Sequence, residues 1–201
     1  MGYKITSKHL NDILNNPLLI ENILNLSRNL KKELTFSVEH SFKTKDYAIS
    51  KAIPEDSEEK QWGNNLRLLP KPSYGLLDFF SHDSGKINLS YEDIKNLHET
   101  RQVVKSEEGI LYNPLIGIVG TKKPDIVQVL LVQEKTPTVI DDKSMRFLAH
   151  FNSTLNDPNS IADLFQSSDR YNSFAYEIIG GVTCAYLSHY TSRFEFTPTK
   201  L

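Results

Sequence analysis

The sequence predicts an α+β fold, a small and mostly antiparallel sheet packed by amphipathic helices, and three stretches carry that expectation. Leu19, Ile23, Leu26 and Leu30 recur at i, i+4, i+7 and i+11, a single apolar stripe along a helix, with Glu21, Asn22, Asn25, Arg28, Asn29 and Lys32 mostly off it. Leu34 to His40 instead alternates apolar and polar with period two, the pattern of a half-buried strand. The third stretch runs from Gly109 to Lys135. Its first half, through Leu115-Ile-Gly-Ile-Val119, is apolar, β-branched and broken by Pro114, as in a buried strand. After the polar turn Thr121-Lys-Lys123, Pro124-Asp125 and the run Ile126 to Gln133 predict a helix that ends at Glu134-Lys135. With 201 residues the chain is expected to form one domain over 1–201.

Taken in order, Ser7 suits the N-cap of a short helix ending near Asn15-Asn16, and Pro17 suits the first turn of the striped helix that follows. Tyr47 to Ile53 is the expected hairpin partner of the strand at 34–40. From about 54 to 85 periodicity weakens and the chain predicts a long irregular excursion, with the acidic run 55–59, Trp62, Pro70 and Pro72. This excursion contains the aromatic cluster Tyr74, Leu76, Leu77, Phe79 and Phe80. Its two readings are core packing and anchors for a partner.

Ser90 and Asp93 make a capping box for a helix through Ile94, Leu97, Arg101 and Val104. Met145, Leu148, Phe151 and Leu155 form a further stripe that stops before Asp157-Pro158, and Ser160 to Phe165 predicts a short helix. A last long helix is expected from Tyr171 to about Tyr190, with Gly180-Gly181 inside it at about 1 kcal/mol each relative to alanine. That cost points to a close backbone approach, and Gly180, Thr183 and Cys184 form its small-residue patch.

Composition narrows the function classes. Lys plus Arg total 23 against 25 Asp plus Glu, a formal charge of -2, so no basic excess marks a nucleic-acid partner. Cys184 is the only cysteine, which excludes an internal disulfide and a cysteine-based zinc cage. No apolar run reaches the length of a bilayer span, and a cytoplasmic chain without direct membrane insertion is expected.

Motifs for chemistry are weak. Pro124-Asp125 with Gln133-Glu134-Lys135 resembles a degraded PD-(D/E)xK nuclease pattern, in which acids and a lysine at adjacent strand ends hold a metal. Here Gln133 occupies an acid position and the spacing is short. Ser84-Gly85-Lys86 lacks the first glycine of a phosphate loop, since position 80 is Phe80, and Gly117-Ile-Val-Gly120 lacks the third glycine of a dinucleotide fingerprint. The histidines at 9, 40, 82, 98, 150 and 189 show no metal-ligand spacing, and Cys184 with His189 is too thin a pair for a nucleophile and base. The residues therefore predict no catalytic, cofactor or metal constellation.

The order of amphipathic helix, alternating strands, apolar strand at Leu115 to Val119, polar turn and Pro124 to Leu131 helix resembles the small adaptors of Dot/Icm type IVB secretion systems, the IcmS-like and LvgA-like group. The resemblance covers residues 17–42 and 109–135. It implies a non-enzymatic α+β adaptor or chaperone that binds IcmS and the C-terminal tail of the coupling protein DotL and recruits effector proteins for export. It also implies a cytoplasmic place, held at the inner membrane through that complex. The expected protein-binding residues are Tyr74, Leu76, Leu77, Phe79, Phe80, Gly180 and Gly181. An immunity or inhibitor protein that binds a toxin, and a divergent nuclease using Asp125, Glu134 and Lys135, are the alternatives.

Overall fold

The computed structural model describes residues 6–41, 44, 46–54, 73–108, 110–111, 115–123, 125–135, 140–183, 191, 194 and 199–200. The acidic run 55–59, Trp62, Pro114, Pro124, Cys184 and His189 lie outside them, as do the side chains of Tyr74 and Arg101 to Glu108. The fold is α+β. Helix α1 (Ser7–Leu14) is capped by Thr6, whose hydroxyl accepts from the His9 amide, and α2 (Pro17–Arg28) by Asn16, with Pro17 in its first turn. Leu19, Ile23 and Leu26 are wholly buried as the stripe requires, while Leu30 falls in a short 3-10 turn.

Strand β1 (Leu34–Ser41) alternates in burial and pairs antiparallel with β2 (Tyr47–Ile49) and β3 (Ile53–Pro54), the hairpin expected from the pattern. On its other edge β1 pairs with β4 (Ser73–Ser81). From there the chain passes through α3 (Tyr91–Glu108) and β5 (Ile110–Leu111) into β6 (Leu115–Lys123), which lies parallel to β4. Next come β7 (Ile126–Glu134), α4 (Asp142–Ser153), α5 (Pro158–Ser167), β8 (Tyr171–Ile179) and β9 (Val182–Thr183), and β10 (Thr199–Lys200) pairs with β5. The main sheet has eight strands in the order β2-β1-β4-β6-β7-β8-β9 with β3 also on β1, all antiparallel except β4 and β6. Among the described residues no helix is long and apolar enough to cross a membrane.

Three expectations are corrected. The run 126–134 is a strand, because Ile126 to Gln133 pair with β6 on one side, all nine residues pair with β8 on the other, and Val127 to Glu134 are buried. A continuous apolar run with that burial satisfies helix and strand alike, and four β-branched residues, Ile126, Val127, Val129 and Val132, tilt it to strand. The segment from Tyr171 is also a strand as far as Ile179, and Gly180-Gly181 is the two-residue turn of a hairpin rather than a helix interior. Both glycines have positive φ, 58° and 78°, as a type I′ turn demands. Within the supposed excursion, 73–81 is an internal strand of the sheet.

Alternation along the strands divides the apolar side chains between two cores. One face carries Phe36, Val38, Leu77, Phe79, Leu115, Val119, Val129, Leu131 and Phe174 beneath α1 and α2. The other carries Ile116, Ile118, Leu130, Val132 and Ala175 beneath α3, α4 and α5. Gly117 and Gly120 are interior residues of β6 with separate steric reasons. A Cβ at Gly117 would lie 2.3 Å from the Phe79 ring, which itself stacks on Phe36 at 4.7 Å. A Cβ at Gly120 would lie 2.5 Å from the carbonyl oxygen of Gly85, the same oxygen that accepts from the Thr121 amide at 2.9 Å.

Leu130→Ala should cost about 2–5 kcal/mol in chemical denaturation, through lost burial and a residual cavity. Gly120→Ala should destabilise by about 1–3 kcal/mol, since the obstructing atom is backbone, whereas Gly75→Ala, where a Cβ meets nothing within 4 Å, should stay within about 1 kcal/mol of the parent. Melting curves of the two glycine variants side by side check the contrast.

Candidate functional site

The parallel pair β4 and β6 needs a crossover, and its first leg, residues 82–90, builds one wall of a surface concavity rich in polar side chains. It begins where β4 ends and leads to the N-terminus of α3, the region in which βα units place ligands. Lys86, Ser84, His82, Tyr91, Ala149 and Ser153 line a cavity of about 360 Å³. Ser90 and Asp93 close the capping box expected from the sequence, each accepting from the other's amide, at 2.6 and 3.1 Å. His82 Nε2 lies 3.3 Å from the Asp93 carboxylate. Burial pushes the Asp93 carboxyl up, but hydrogen bonds from His82 and Ser90 outweigh it and hold the group below the usual range. The result is an imidazole oriented by an ionised carboxylate at the rim of a polar hollow.

Helix α4 forms the opposite wall. The Asn88 amide donates to the carbonyls of Asn152 and Leu155, and the Asn152 amide donates to the Leu89 carbonyl, so the crossover loop is stitched to α4. Tyr91 donates its hydroxyl proton to Asp142 at 2.5 Å, with the Arg146 guanidinium 4.4 Å above its ring. On the side away from the hollow, α4 carries Phe147 and Phe151, 69% and 46% exposed, their rings stacked 6.2 Å apart and 7° from parallel.

Two further polar groups lie within the fold. Glu134, 1% exposed at the end of β7, accepts from Arg170 Nε and Nη2 at 3.1 and 3.0 Å and lies 3.1 Å from His98 Nδ1. It joins α3 to the sheet as a paired buried charge, and its carboxylate together with burial pushes the neighbouring Tyr171 hydroxyl up: burial acts first, Glu134 second, reaching about 12. At the other end of the sheet, His9 of α1 faces His40 of β1, with their Nε2 atoms 3.0 Å apart. Burial first, and the charge of His9 second, lower His40 to about 4, so its ring is neutral near pH 7.

The structure redistributes the expected site residues. Leu76, Leu77 and Phe79 are fully buried in β4 and belong to the core, which corrects their assignment as partner anchors: a strand paired on both edges and covered by α1 and α2 leaves them no surface. Phe80 is half-buried against the second core and meets His82 edge-on at 5.4 Å. Tyr74 contributes backbone pairing to His40. Gly180 and Gly181 lie at an exposed hairpin tip flanked by Ile179 and Val182, 49% and 69% exposed, and the Thr183 hydroxyl bonds Asn15 there. Asp125 just before β7 and Glu134 at its far end stand roughly 30 Å apart at strand rise, so they do not converge on one metal.

Sequence reasoning missed the outward turn of Phe151 and passed over Phe147. The stripe Met145, Leu148, Phe151, Leu155 placed Phe151 inside. The structure rotates the helix so that Met145 and Asn152 face inward, because the Asn152 amide is needed by the Leu89 carbonyl. The i, i+4 spacing of the two phenylalanines was the available signal. Among the described residues no group of three His, Cys, Asp or Glu is arranged to hold a metal.

Glu134→Gln removes the charge that faces Arg170 and His98, and should destabilise by about 3 kcal/mol or more in urea unfolding, as expected when one partner of a buried pair is lost. The exposed pairs of Lys95 with Glu92 and Glu99 should contribute almost nothing in the same assay. Compared with known proteins, the chain matches no family model, no curated protein and no solved structure.

Proposed function

We propose that this chain is a non-enzymatic adaptor that acts by binding other proteins, in a cytoplasmic coupling complex of the Dot/Icm type. The observation that carries the reading is the stacked Phe147 and Phe151 pair on the outer face of α4. Two large aromatic rings held in water on a helix capped by Asp141 are costly to a lone chain, and aromatic anchors on rigid elements are the usual centres of protein interfaces. The predicted partner surface therefore moves from the β4 cluster to α4, with the Gly180-Gly181 tip as a second apolar patch.

The resemblance to IcmS-like adaptors supports the partner class through the helix and strand of 17–42 and the strand at 115–119. It is weakened at 126–134, where the chain forms a strand in place of the helix in the pattern. The partners that follow are IcmS, the DotL C-terminal tail and effector proteins.

A double Phe147→Ser and Phe151→Ser variant should change the melting temperature by less than about 2 °C, as befits exposed positions, and should lose capture of IcmS and of a DotL tail peptide in a pull-down with purified components. Undiminished capture by the folded variant removes α4 from the interface. Failure of the parent chain to bind either component discards the secretion assignment.

A further inference from the structure

We propose that His9 and His40 form a transition-metal site, taking one divalent ion of the copper, nickel and zinc series between their Nε2 atoms. This stands apart from the adaptor reading and needs no residue of α4. The two nitrogens face each other 3.0 Å apart across the contact of α1 with β1, with the rings 80° from coplanar. Metal–imidazole bonds of about 2.0–2.1 Å put two ligand nitrogens about 2.9 Å apart at a right angle and about 3.3 Å apart at a tetrahedral angle. The observed separation lies close to the first value. An ion bound at this spacing takes the place of the direct nitrogen-to-nitrogen hydrogen bond between the two rings.

Both ligands are held from behind. His40 lies in β1, paired to β2 on one edge and β4 on the other, and is fully buried. His9 sits in the first turns of α1, and the Tyr47 ring packs edge-on against it at 5.9 Å, with the Tyr47 hydroxyl accepting from the Asn16 amide. Asp46 lies close enough to act electrostatically on His40, and the same field attracts a cation. His9 is half-buried, which leaves solvent to complete the coordination sphere. Each imidazole then binds as a neutral ligand with its remaining proton on Nδ1. Sequence spacing gave no sign of this site, because the ligands are 31 residues apart on different elements.

The near-right angle favours tetragonal copper(II) and nickel(II) over tetrahedral zinc(II), and copper binds most tightly in the general order. The test uses the untagged full chain, stripped with chelator, titrated near neutral pH with copper, nickel and zinc chlorides by calorimetry and followed by thermal melting. One ion per chain is expected, with a melting temperature raised by several degrees at about a hundredfold excess over the dissociation constant. His9→Gln should abolish both the saturable binding and the shift, and His150→Gln on exposed α4 should preserve both. One-to-one binding that persists in folded His9→Gln, or no saturable binding by the parent, overturns the proposal. Should His9→Gln fail to fold, copper spin resonance of the parent decides: coupling to two imidazole nitrogens supports the site, and one or none refutes it.

Discussion

The structure depends on the burial of β6 and β7 on both faces. Once Leu115 to Gly120 and Val127 to Glu134 have no wet side, the sheet must be covered twice. The α1–α2 pair covers one face and α3, α4 and α5 the other, so the amphipathic helices follow from the double burial of the central strands. Each fully buried leucine, isoleucine or phenylalanine contributes about 1.5–3 kcal/mol from water exclusion, and the two cores draw on opposite sides of the same strands. A slip of one residue in β6 or β7 would exchange the two sets and misfit both layers.

Close approach across β6 is the second consequence. Gly117 admits the Phe79 ring and Gly120 admits the Gly85 carbonyl, so β4 and the crossover loop are pressed onto β6 from the two faces. The Gly85 contact places the loop that carries His82, Lys86 and Ser90, and hence the polar hollow at the start of α3. Packing in the centre of the sheet thereby sets the geometry of a surface feature. The stitching of Asn88 and Asn152 extends this order to α4, which in turn holds Phe147 and Phe151 outward.

Charge is arranged by the same logic. Glu134 can be buried at the end of β7 because Arg170, immediately before β8, and His98 from α3 reach it together. His9 and His40 meet because α1 lies over the first face of the sheet near β1. In both cases the members come from elements far apart in sequence, so no local spacing announces them.

The sequence by itself determined the local features: the α1 and α2 boundaries at Asn16-Pro17, the β1–β2 hairpin, the capping box of Ser90 and Asp93, the α+β class, and the apolar character of 115–134. These rest on side chain to backbone bonds and periodicities that act within a few residues. Only the tertiary structure decided that 126–134 and 171–179 are strands, since a run buried on both sides has lost the polar residues that distinguish a period of two from one of 3.6. It alone decided that Leu76, Leu77 and Phe79 are core while Phe147 and Phe151 face water, because apolar side chains of the same kind are sorted by which neighbours pair with their strand or cover their helix. The physical reason is one of range: caps and turns are settled by adjacent residues, whereas burial is settled by contacts between β1, β4, β6, β7 and the helices laid across them.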